Sequence, residues 1–235
     1  MPSTAREHTV TRTVFVISIL VTVVLYALPE LYFVAFPLRL LATLVHEMGH
    51  GLAALLVGGS FVSFEMFSDG SGVAHTATTS QSRLAAAFVA AGGLIGPAIA
   101  AAASFVVGRK PEYARAFLTV LCVGALASLI LVVRNTFGWI FVGSFALLLG
   151  VLVLKASARA SQAVLVFLGT QLGLSVFAQS DYLFTRTAET VGGPMPSDVA
   201  VMSQALLLPY WFWGLACGAL SVLALAIGAR MLWKS

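Results

Sequence analysis

Charge is what this chain has least of. Of its 235 residues only 13 are Lys or Arg and 9 are Asp or Glu, so charged side chains make up 9% where a soluble domain carries roughly a quarter. That scarcity excludes an ordinary soluble fold. Hydrophobic residues account for 60% of the chain, and they come in blocks long enough to cross lipid. The net charge of +4 does not point to nucleic acid, because the basic residues stand singly or in pairs between apolar blocks, as anchors at lipid headgroups do. Cysteine is nearly missing as well. Cys122 and Cys217 each lie inside an apolar block with no CxxC spacing, which excludes a disulfide framework or a zinc ribbon and leaves two small buried hydrophobes.

What remains is an all-α polytopic membrane protein, a single integral membrane domain over residues 1–235. Apolar windows of about 19 residues place helices near 13–36, 38–57, 84–107, 115–133, 136–154, 161–180 and 206–231, about seven spans, or six. The weakest separation is Arg134-Asn135, two polar residues between two apolar runs. Two connections are longer than turns. Residues 58–83 open on Gly58-Gly59, alternate apolar and polar through Phe61, Ser63, Phe64 and Glu65, and turn at Ser68-Asp69-Gly70, the chemistry of a β-hairpin. Residues 181–205, with Gly193-Pro194 and Pro196-Ser197-Asp198, read as an irregular polar loop.

Against this apolar background one cluster stands out: Val45-His46-Glu47-Met48-Gly49-His50-Gly51, inside the second span. On a helix, residues four apart share a face, so His46 and His50 are placed to offer imidazole nitrogens to one metal ion. Glu47 follows one position later, rotated by about 100°, where it reaches a water on the metal without ligating the metal. Two His ligands, a carboxylate base and an open coordination position form the HExxH arrangement of zinc hydrolases. The bland alternative is that the three polar groups merely hydrogen-bond helices together. It is disfavoured because a carboxylate in a membrane span costs at least ~2.5 kcal/mol and normally faces a functional partner. Two His at i and i+4 of one helix also cannot sandwich a haem.

The run LVHEMGHGLAALLVGG, the hairpin with SDGSGVAHT and the AAGGLIGPAIAAA helix (84–107) resemble the site-2 protease family of intramembrane zinc metallopeptidases, and within it the M50B-like branch. The resemblance is strongest over residues 38–107. It implies a membrane-embedded Zn2+ site that cleaves membrane-spanning substrates, with the hairpin positioning the unwound strand, His46 and His50 as ligands and Glu47 as general base. The third ligand is where the pattern departs. Most site-2 proteases supply an Asp within Leu-Asp-Gly, and that tripeptide is absent here. Asp181, at the end of the sixth span, is the preferred replacement. Asp198 is the alternative, with a competing reading as the N-cap of the last helix. The resemblance also gives Asn135 a place as a substrate-backbone contact, beside its plainer reading as a turn residue.

The expectation is therefore a zinc metalloendopeptidase of the cell membrane, acting on a membrane-protein substrate within the bilayer and having no nucleic-acid partner. A catalytically inactive membrane scaffold or regulator is the alternative. A transporter would need ionisable residues on further spans and an inverted repeat, and neither is found.

Overall fold

The computed structural model describes residues 3–78, 82–178, 180–191 and 193–234, with the side chains of residues 3–11 set aside. The fold is an all-α membrane bundle carrying a short β-hairpin. Its elements are α1 (Ser3–Ala27), α2 (Tyr32–Leu56), β1 (Ser60–Met66), β2 (Gly72–Ala77), α3 (Arg83–Val107), α4 (Pro111–Leu131), α5 (Thr136–Lys155), α6 (Ala158–Ala178), β3 (Thr187–Thr190), β4 (Gly193–Pro196), α7 (Asp198–Leu206) and α8 (Tyr210–Trp233). Among the described residues six helices are long and apolar enough to cross a membrane, and the described part of α1 adds a shorter apolar stretch, Arg12–Ala27. The protein is an integral, multi-pass membrane protein.

Three boundaries differ from the sequence reading. The first break falls at Leu28-Pro29 rather than Pro37: Leu28 is extended, a 3-10 turn covers Pro29–Leu31, and Pro37 is absorbed in the second turn of α2. A residue preceding proline is driven out of the helical region, whereas a proline near a helix start forfeits one hydrogen bond. Residues 181–205 are not irregular. They hold a 3-10 turn at Ser180–Phe184, the hairpin β3–β4 and the nine-residue α7. The last span starts at Tyr210, because Leu207 takes a left-handed conformation (φ 63°) and Pro209 follows.

The β1–β2 hairpin runs back along α2. It leaves the α2 end through Gly58 (φ 75°), with the Gly59 N–H bonded to the Ala54 carbonyl (2.9 Å). Its tip, Ser68-Asp69-Gly70, returns to the N-terminal half of α2, where the Thr43 hydroxyl donates to the Gly70 carbonyl (2.8 Å). Gly70 (φ 95°) supplies the positive φ of a three-residue hairpin loop, and the Asp69 carboxylate accepts from the Ser71 N–H (2.8 Å). Strand backbone therefore lies beside a membrane span, where unpaired peptide groups cost several kcal/mol each. On the β1 side they are paired. The Phe64 N–H donates to Val132 (2.7 Å) and its carbonyl accepts from Arg134 (3.0 Å), a parallel bridge onto the segment between α4 and α5. One residue on, Asn135 completes that edge. Its Oδ1 accepts from the Met66 N–H (3.2 Å) and its Nδ2 donates to the Met66 carbonyl. The same Oδ1 caps α5 by accepting from Gly138 (3.2 Å). Phe64 and Met66, both fully buried, pack with Leu40, Leu44, Val133 and Val142 beneath the hairpin.

Asn135→Ala removes a helix cap and two hairpin bonds at once. It is expected to cost about 1–3 kcal/mol, seen as a lowered thermal unfolding midpoint of the protein in detergent; an unchanged midpoint would contradict the clamp.

Candidate metal centre

His46 and His50 lie on successive turns of α2, and their Nε2 atoms are 3.1 Å apart. Helix α3 sets the His50 ring. Its Nδ1 is 2.8 Å from the Val89 carbonyl, an acceptor, so Nδ1 carries the hydrogen and Nε2 of the neutral ring presents a bare lone pair. The ring fits because α3 has no side chain there: a Cβ on Gly93 would lie 2.2 Å from His50 Nε2. One residue back on each helix, a Cβ on Gly49 would meet the Gly92 carbonyl oxygen at 2.3 Å, so small residues on both helices set the close α2–α3 approach.

The third group comes from α7. Asp198 has Oδ2 at 3.1 Å from His46 Nε2 and Oδ1 at 3.3 Å from His50 Nε2. Among the described residues His46, His50 and Asp198 are the group of metal-ligating side chains whose donor atoms converge. Asp198 is the first residue of α7, and the N-cap is Ser197, whose hydroxyl oxygen accepts from the Ala200 N–H (3.3 Å). Backbone tethers hold that corner: the Ser197 N–H bonds Arg186 (3.0 Å) and its hydroxyl donates to Thr185 (2.5 Å). Val199 and Met202 bury α7 against Ala87, Ala90 and Leu94 of α3.

The donor set fits zinc. Tetrahedral coordination at the usual 2.0–2.1 Å puts neighbouring donor atoms about 3.3–3.4 Å apart; here the two imidazole nitrogens are 3.1 Å apart and each faces its own oxygen of the Asp198 carboxylate, Oδ2 at 3.1 Å from His46 and Oδ1 at 3.3 Å from His50. Lone pairs this close repel unless a cation lies among them. Glu47, 7% exposed, stays beside the pair without joining it. The Ala74 N–H of β2 faces its carboxylate, and a Cβ on Gly72 would touch its Cγ at 3.0 Å. A cavity of about 30 Å³ adjoins His46, with Ser175, Tyr182 and Ser221 in its wall, room for about one water.

A family described as peptidase M50B-like has a model that matches residues 16–228. The chain belongs to that family. No curated protein and no solved structure matches it significantly. The family is one of zinc metallopeptidases, and membership supports a site-2 protease-like membrane protein.

The structure thus gathers His46, Glu47, His50 and the alternative carboxylate, Asp198. Asp181, preferred on sequence, lies apart from this group. It is exposed on the 3-10 turn Ser180–Phe184 and does not enter the convergent group, because α6 ends before it and the chain needs a further hairpin and a cap to return to α3. Asn135 is bonded to the hairpin through Met66. One residue escaped sequence reading altogether: Tyr182, whose hydroxyl lies 3.3 Å from Asp198 Oδ2 and whose ring meets the His46 ring edge-on at 5.9 Å. No spacing rule links it to the motif. Burial, reinforced by the Asp198 charge, pushes its hydroxyl above the ordinary phenol range, so it remains a donor.

Gly93→Ala is expected to leave the bundle folded, since a ring rotation relieves the clash, but to weaken zinc retention at least about tenfold, as loss of ligand orientation does. Competition with a chelator measures it, and wild-type affinity would contradict the placement of His50.

Proposed function

We propose that the protein is an intramembrane zinc metalloendopeptidase. The observation that supports this reading is the approach of the Asp198 carboxylate to both imidazole Nε2 atoms, which makes Asp198 of α7 the candidate third ligand. His46, His50 and Asp198 would hold the ion. Zinc in such a site supplies Lewis acidity toward a peptide carbonyl and lowers the pKa of water to about 7. Glu47 accepts the proton of the attacking water and delivers it to the leaving amine, the part of a general base that turns to acid as the peptide bond breaks. Its position beside the ligands, with the Ala74 N–H of β2 facing its carboxylate, suits that exchange.

The hairpin supports a peptide substrate in extended form. In an antiparallel pair, residues whose peptide groups face outward lie opposite one another. Phe64 faces Val132 and Arg134, so Ala74, its partner in β2, turns its own peptide groups to the other edge, toward Glu47. Among the described residues no strand pairs with β2 on that edge. An open strand edge at membrane depth is tolerated only where protein or water covers it, and an unwound segment of a substrate helix is suited to add there as a strand. The missing Leu-Asp-Gly, which favoured an inactive scaffold, loses its weight once a carboxylate reaches the histidine pair.

Glu47→Gln is expected to abolish cleavage of a membrane-spanning peptide by the reconstituted protein while leaving its zinc content intact. Undiminished cleavage would remove the general-base role, and no cleavage by the wild type across a panel of such peptides would favour the scaffold. In parallel, Asp198→Ala should lose bound zinc while Asp181→Ala keeps it, as metal analysis of the two purified variants will tell; the reverse pattern would return the ligand to Asp181.

A further inference from the structure

We infer that Tyr182 is a positioning residue of the zinc centre, its phenolic O–H fixing which way the Asp198 carboxylate faces. The inference rests on the proposed zinc site and deepens it. A carboxylate turns readily about its last torsion, a broad and roughly two-fold one in Asp, so backbone anchoring of α7 alone does not decide which oxygen meets which ring. The structure shows one oxygen distinguished from the other. Oδ2 lies 3.1 Å from His46 Nε2 and also 3.3 Å from the Tyr182 hydroxyl, whereas Oδ1 lies 3.3 Å from His50 Nε2. A hydroxyl donating to Oδ2 occupies one of its lone pairs and leaves the other for a cation between the imidazoles.

The phenol is itself held. Its ring packs edge-on against His46, and the next residue, Leu183, sits so tightly on α8 that a Cβ at Gly214 would meet its carbonyl oxygen at 2.0 Å. A ring that only filled space between α3, α7 and α8 would do so without a hydroxyl. Burying an O–H in an apolar bundle costs about 1–3 kcal/mol unless it is bonded, and here the bond goes to the ligand carboxylate. Groups that hydrogen-bond metal ligands are typically worth 10–100-fold in metal affinity.

The test compares zinc affinity, by chelator competition in detergent, for the wild type, Tyr182→Phe, Asp198→Ala and the double variant, with the unfolding midpoint of each zinc-free protein. Tyr182→Phe keeps the ring and should bind zinc about tenfold more weakly with its zinc-free midpoint unmoved. In the Asp198→Ala background the same substitution should have no further effect, because Tyr182 acts through Asp198. Wild-type affinity in Tyr182→Phe, a zinc-free midpoint that falls with the affinity, or full additivity in the double variant would each overturn the inference while leaving the centre standing. Failure of the wild type to hold zinc would overturn the centre, and the inference with it.

Discussion

Two imidazoles and a carboxylate facing one point inside a lipid-flanked bundle set the terms for everything around them. Each group is costly to bury alone, and each is tolerable only with a partner. His50 is therefore turned by the Val89 carbonyl, α3 is stripped to glycine where the ring must fit, and α7 is pinned by Ser197 so that Asp198 arrives from a separate part of the chain. The close α2–α3 contact at Gly49 and Gly92 follows from the same need. A wider separation would move the His50 ring away from its acceptor.

The second constraint is the hairpin. Strand backbone beside a membrane span has to be paired, and the two edges are treated differently. The β1 edge is closed by Val132, Arg134 and Asn135, which makes the connection between α4 and α5 part of the sheet rather than a simple turn. The β2 edge looks toward Glu47, with the Ala74 N–H facing its carboxylate. Asymmetry of this kind turns a structural hairpin into a surface with one usable side, and that side adjoins the candidate centre.

How much of this was legible depended on whether the information was local. The HExxH spacing fixes His46 and His50 on one helix face, with Glu47 rotated to its side, because a helix repeats every 3.6 residues, and the Asp69-Gly70 turn fixes the hairpin because few residues tolerate a positive φ. Asp198 is a contact across more than 140 residues, and nothing periodic connects it to His46. Its placement depends on Ser197 capping a short helix and on Val199 and Met202 burying it against α3. Asp181 was the more attractive residue because it follows a long apolar helix, but the turn that carries it leaves it exposed. Asn135 illustrates a different gap: a polar residue between two spans reads as a turn, and only the register of β1 discloses that it holds a strand edge. Tyr182 had no sequence signal at all, since a tyrosine near a helix end is ordinary.

The claim on which the rest stands is that His46, His50 and Asp198 bind one zinc ion. X-ray absorption at the zinc edge of the purified full-length protein tests it most directly. The account predicts about one zinc per chain in a shell of two imidazole nitrogens with carboxylate and water oxygen at about 2.0–2.1 Å. A protein that carries no zinc after saturation and buffer exchange, or a shell containing sulfur at about 2.3 Å, would contradict it.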